Sequence, residues 1–229
     1  MNELERYSSP VYRETPAPRL ITRRLYNALL AGFVVLSFVI MAICSHITTT
    51  IEFVYFVYRN PMLFMIGSLV CSIGGIICMS VGRSKESLPI GLVGYALFTL
   101  TFGFSTSFVM SAYSLDSITT AFTATAGIMI VFGAAGIAFP RFFAKIQGVL
   151  LVALVAIIVV ELVLTFTGVS QSLTDVAVIL VFCGFIGYDV YRASVAAPTV
   201  SNALWYAIEL YLDIINVFLR LLSLFGRRE

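Results

Sequence analysis

The stretch IQGVLLVALVAIIVVELVLTFTG, residues 146–168, holds a single charged side chain, Glu161, among aliphatic and aromatic neighbours. As a helix it rises about 1.5 Å per residue, enough to cross the roughly 30 Å hydrocarbon core of a bilayer. Hydrocarbon offers the backbone no partners, so a lone spanning segment satisfies its N–H and C=O groups internally, as an α-helix. Outward from this stretch, comparable apolar runs recur at 26–45, 61–81, 88–111, 117–139, 173–193 and 202–224. With 60% hydrophobic and 11% charged residues and a mean hydropathy of +1.01, a water-soluble domain is excluded. The expectation is an all-α membrane protein: a seven-transmembrane-helix bundle over residues 26–229, preceded by a tail over residues 1–25.

Turn residues separate the runs: Arg59-Asn60-Pro61, Gly82-Arg83-Ser84-Lys85, Pro140-Arg141, Gly168-Val169-Ser170-Gln171 and Ala197-Pro198-Thr199. The tail carries Arg6, Arg13, Arg19, Arg23 and Arg24 with Pro10, Pro16 and Pro18, a composition that cannot span a membrane. It is not expected to be a cleavable leader, since the apolar run behind it has full span length and Ser45 to Thr50 offers no small-residue cleavage pattern. Loops rich in Arg and Lys stay in the cytoplasm. Arg83, Lys85, Arg141, Lys145 and Arg192 fall on the same side as the tail, whereas the opposite loops hold Arg59 beside Glu52, Asp116 and Asp175. The amino terminus is therefore expected to be cytoplasmic, and the short loops suit a bacterial plasma membrane. Seven full crossings would put Arg227 and Arg228 outside, a conflict that a short, buried or re-entrant last helix would remove.

The formal charge of +2 forms no basic stripe, so nucleic acid is not an expected partner. Cys44, Cys71, Cys78 and Cys183 lie within apolar runs without metal-type spacing and read as small core residues. His46, the sole histidine, falls at a helix end and reads as a surface residue.

The informative residues are acids at membrane depth: Glu161, Asp189, Glu209 and Asp213. A carboxylate there costs about 2.5–3.5 kcal/mol on insertion scales, so such residues face a bundle interior or water cavity and serve ions, protons or substrates. Glu209 and Asp213, four apart, share a helical face. A small offset or tilt of the last two helices would bring Asp189 and Asp213 together, and two carboxylates in contact must share a proton, hold a metal ion or pair with arginine. Asp189 also has a simpler partner in Arg192, three residues on.

Gly187-Tyr188-Asp189, then AIELYLDIINVFLRLL at 207–222, then Leu224-Phe225-Gly226-Arg227-Arg228, resemble the transmembrane Bax inhibitor motif family. That resemblance implies a calcium-permeable leak channel of seven helices with the last at the centre, and a pH-sensitive aspartate pair near the cytoplasmic side, matching Asp189 and Asp213. It implies a latch arginine after the second helix, for which Arg83 is the nearest counterpart. Glu161 and Glu209 lie outside the family pattern and stand as possible accessory acids. The expected partners are the lipid bilayer, calcium ions and protons. No tightly bound cofactor is expected, and Asp189 with Asp213 would form a weak calcium transit site, because calcium needs more oxygen ligands than two carboxylates supply.

Two other classes compete with the channel. An intramembrane aspartyl protease also uses two membrane aspartates, and Tyr188-Asp189 imitates its first motif. Its second needs Gly-x-Gly-Asp, whereas Asp213 follows Leu210-Tyr211-Leu212, so the expectation is non-enzymatic. In the other, the protein is a non-conducting membrane modulator or scaffold of a protease or survival pathway, and its acids stabilise the bundle.

Overall fold

The computed structural model describes residues 19–167 and 172–226. Eight helices follow in order among these residues: α1 (Arg23–Thr48), α2 (Ile51–Arg59), α3 (Pro61–Ser84), α4 (Leu88–Met110), α5 (Leu115–Ala138), α6 (Pro140–Thr167), α7 (Ser172–Val195) and α8 (Val200–Phe225). Six of them, α1 and α3 to α7, are long and apolar enough to cross a membrane. The protein is thus an all-helical, multi-pass membrane protein. Most of the expected tail, residues 1–18, lies outside the described residues, as do the loop Gly168 to Gln171 and the terminal Arg227 and Arg228. Arg23, assigned to the tail, begins α1.

Helix boundaries follow local chemistry. Thr22, Thr50, Ser114 and Thr199 cap α1, α2, α5 and α8, each side-chain oxygen accepting a first-turn backbone N–H. Pro61 and Pro140 open α3 and α6, where a missing N–H costs nothing. The short helix α2 was not expected, because nine residues fall below the length that hydropathy detects. It exposes Ile51, Tyr55 and Tyr58 and turns Val57 inward, the division of an interfacial amphipathic helix.

The six candidate spans bury few of their side chains and leave a broad aliphatic surface, including Val149, Val152, Val155, Ile158 and Val159 of α6. Helix α8 is the reverse. It packs against α1, α3, α4, α5 and α7, and buries residues on nearly all sides, from Ala203 and Leu204 to Leu221 and Leu222. Tyr211, Ile215, Val217 and Leu222 have no exposed surface.

Small residues set the close approaches between helices, as is usual where lipid tails match the apolar side chains in hydrophobicity. On α3 and α4, Gly75 faces Gly94 so tightly that a methyl on Gly94 would lie 2.6 Å from the Gly75 carbonyl oxygen and the Met79 nitrogen. On α7, Gly187 is wedged between the backbone of Gly136 on α5 and the ring of Phe143 on α6. Polar cross-links add specificity: Ser37 and Tyr95 join α1 to α4 at 2.9 Å, and Tyr95 Oη donates to the Phe33 carbonyl at 2.7 Å.

Gly94→Ala is expected to lower stability by about 1–3 kcal/mol, the usual cost of overpacking a tight contact. Gly67→Ala, where an added methyl meets open space, should be neutral or stabilising. Thermal unfolding of both variants in one detergent checks this, and equal melting temperatures would refute the close α3–α4 contact.

Candidate functional site

Helix α8 carries Glu209, Asp213, Asn216, Arg220 and Ser223 at alternating spacings of four and three, which places them along one face. That polar stripe meets α6 and α7 at two levels.

At the first level, α7 contributes Asp189 and Arg192, and α8 contributes Glu209 and Asp213. Asp189 and Asp213 are 6% and 5% exposed, line one cavity, and lie close enough to interact electrostatically. Asp213 Oδ2 is buried without a hydrogen-bond partner. Arg192 Nη1 lies 3.3 Å from Asp189 Oδ1 and donates to Glu209 Oε1 and Oε2 at 3.0 and 3.1 Å. Its guanidinium also rests on the rings of Tyr188 and Tyr206, at 5.4 and 5.2 Å. One cation therefore stands beside three carboxyl groups, so the cluster holds more acids than bases.

A cavity of about 300 Å³ opens beside the pair, lined by Leu154, Phe182, Phe185, Asp189, Glu209, Leu212, Asp213 and Asn216. It has the size and polar partners to hold water. Gly184 and Gly187 let α7 press against Leu150 and Phe143 of α6, which fixes the depth at which Asp189 meets α8.

The second level lies toward the carboxy-terminal end of α8. Arg220 Nη1 is 2.7 Å from Glu161 Oε1 of α6 and 2.8 Å from Asp175 Oδ1 of α7, and its Nη2 donates to Glu161 Oε2 at 2.8 Å. Ser223 Oγ donates to Asp175 Oδ2 at 2.9 Å. Asp175 is buried. Helix geometry puts Arg220 roughly 10 Å beyond Asp213 along α8.

The structure thus brings Asp189, Asp213 and Glu209 together and holds Glu161 apart in its own ion-pair cluster. Glu161, a possible accessory acid by sequence, pairs with Arg220. Arg83 stands elsewhere: its Nε donates to Asn202 Oδ1 at 2.8 Å, and its guanidinium covers Trp205 and Tyr206, each at 5.3 Å. Among the described residues no carboxylate lies within ion-pair distance of Arg83. Sequence reasoning missed the Arg192–Glu209 bridge and the Arg220 cluster, although the repeating polar spacing on α8 was a usable signal. No three His, Cys, Asp or Glu side chains among the described residues are grouped to hold a metal ion. The four cysteines are free.

A multi-pass helical membrane protein with a carboxyl cluster buried between its last two helices is the class these observations define. The family model described as inhibitor of apoptosis-promoting Bax1 matches residues 19–229, and the chain belongs to this Bax inhibitor family. Among similar proteins, the Golgi anti-apoptotic protein of vaccinia virus (strain Lister) is 31% identical over 187 residues, covering 77% of this chain and 76% of the relative. The inner membrane protein YbhL of Escherichia coli K12 is 28% identical over 179 residues, covering 73% and 76%. An uncharacterized membrane protein of Streptococcus pyogenes serotype M6 is 26% identical over 179 residues, covering 75% and 77%.

Arg192→Gln removes the cation facing Asp189 and Glu209. Because Arg192 is 30% exposed, the expected loss is about 1–3 kcal/mol, below the full cost of breaking a buried pair. The loss should grow as pH rises, since uncompensated carboxylates are tolerated only when protonated. Glu209→Gln in the same background should recover part of it. Thermal unfolding at acidic and alkaline pH reads both effects, and a pH-independent, wild-type melting temperature would contradict the neutralising role of Arg192.

Proposed function

We propose that the protein is a pH-sensitive, calcium-permeable leak channel of a bacterial plasma membrane, with a cytoplasmic amino terminus. In this reading α8 is the seventh crossing, sheathed by the six apolar helices, and its polar stripe lines the route. The observation that carries the proposal is the burial of Asp189 against Asp213 beside a cavity, with Arg192 as the nearest cation. A carboxyl pair in an apolar bundle titrates as a unit, and each proton lost changes the repulsion between α7 and α8.

With one proton shared, a hydrogen bond clamps α7 to α8. When that proton leaves, like charges at close range favour a wider packing, and the carboxylates become ligands for a passing cation. Calcium would draw its remaining ligands from carbonyls and water, which suits transit better than storage. Beyond Asn216 the route meets Arg220, whose charge is held by Glu161 and Asp175, so conduction requires that cluster to shift aside.

A second reading has one specific support, the word anti-apoptotic in the name of the vaccinia relative. There the chain acts as a non-conducting modulator of a survival pathway, and the acids serve stability alone.

Reconstitution into calcium-dye liposomes separates the two. Wild-type flux is expected to rise between about pH 6 and 8 as the pair loses its shared proton. Asp213→Asn and Asp189→Asn should each abolish the flux or its pH dependence. Folded wild-type protein with no flux above empty liposomes would favour the modulator.

A further inference from the structure

One end of the bundle holds a cation that no carboxylate among the described residues neutralises. Arg83, at the carboxy-terminal end of α3, is half-buried and donates to the amide oxygen of Asn202 and, at 3.5 Å, to Tyr206 Oη. Both partners are uncharged. The nearby carboxylates Glu209 and Asp189 are engaged by Arg192. A partly desolvated guanidinium without a counter-ion is a costly arrangement.

Around Arg83 stand donors without acceptors. Tyr26 has no exposed surface, and its hydroxyl is buried without a hydrogen-bond partner; Trp205 Nε1 is likewise buried and unpartnered. Tyr26 and Tyr206 pack in one cluster with Trp205 against it, and the Tyr26 hydroxyl lies within electrostatic range of Arg83, Arg23, Tyr206 and Glu209. Arg23 lies over the Tyr26 ring at 5.3 Å and donates to the Ala196 carbonyl at 3.0 Å. Two guanidinium groups, a phenol and an indole N–H thus gather where α1 begins, α3 ends and α8 begins.

That inventory is rich in donors and poor in acceptors. Its complement is an anion with several acceptor oxygens, and a guanidinium fork matches phosphate in a bidentate manner. Helix ends at a membrane surface also stand at the depth of lipid phosphates.

We propose that Arg83, with Arg23, Tyr26 and Trp205, forms a binding site for a phosphate oxyanion at this end of the bundle. Two sources carry that chemistry, the headgroup of an acidic phospholipid and free inorganic phosphate. The bound anion neutralises Arg83 and keeps it on Trp205 and Tyr206. Because the guanidinium groups of Arg83 and Arg192 both rest on the Tyr206 ring, occupancy also bears on how Arg192 sits over the carboxyl cluster.

Trp205 is the one tryptophan in the chain, so its fluorescence reports on the site directly and without reference to ion flux. The full chain in uncharged detergent is titrated with sodium phosphate against sodium chloride at matched ionic strength. In parallel it is placed in nanodiscs of phosphatidylglycerol or phosphatidylcholine. The expected result is a saturable change in Trp205 emission with phosphate, with phosphatidylglycerol, or with both, the pattern identifying the source. Arg83→Gln should weaken it about tenfold or more, the loss of a charge-assisted hydrogen bond. Arg83→Lys, which keeps the charge, should retain part of it. No response to either ligand, the same response to chloride, or an unaltered response in Arg83→Gln with wild-type helicity would overturn the proposal.

Discussion

Transferring charge into hydrocarbon is the cost around which this molecule is arranged. Helix α8 bears Glu209, Asp213 and Arg220 in a chain whose other long helices present mainly aliphatic surface. Left facing lipid, each would cost several kcal/mol. Packing α8 against α1, α3, α4, α5 and α7 takes those groups away from lipid, and side chains of α6 and α7 give Glu209 and Arg220 their ionic partners. The glycine contacts that draw the helices together serve the same end, since Gly187 can lie between α5 and α6 only because it has no side chain.

The compensation is uneven along α8. At the Arg220 level one cation meets two carboxylates at short range, and Ser223 donates to one of them, Asp175, a set of strong, charge-assisted contacts. At the Arg192 level one cation faces three carboxyl groups, and an oxygen of Asp213 has no hydrogen-bond partner. The cavity of about 300 Å³ lies at the Arg192 level, where acids outnumber bases by more.

Membership of the Bax inhibitor family places the chain in a group, and Arg192 and Glu209 supply the charges beside its carboxyl pair. Arg192 and Glu209 couple through two contacts that link α7 to α8, so the nearest counter-ion belongs to a helix of the site itself. Arg83 is occupied with aromatic rings and an amide. The two guanidinium groups meet at Tyr206, which makes that ring the physical link between the helix ends and the buried acids.

The spans were legible in the amino-acid sequence because crossing a bilayer is a local demand: enough apolar residues in a row, and turn residues between. Residues 146–168 lie within or next to α6 for that reason, and Pro61 marks the start of α3. The buried acids were legible too, since a carboxylate among leucines and isoleucines is conspicuous wherever its helix packs. Helix α2 was not, because nine residues give too short a pattern. The i, i+3 contact of Asp189 with Arg192 was legible, but the bridge from Arg192 to Glu209 and the pairing of Glu161 with Arg220 were not. Hydropathy states how deep a residue lies but not which way its helix is turned, and an ion pair forms or fails over a few ångströms. The rotation of α7 and α8 about their axes, set by glycine contacts far apart in the chain, decided which charges meet.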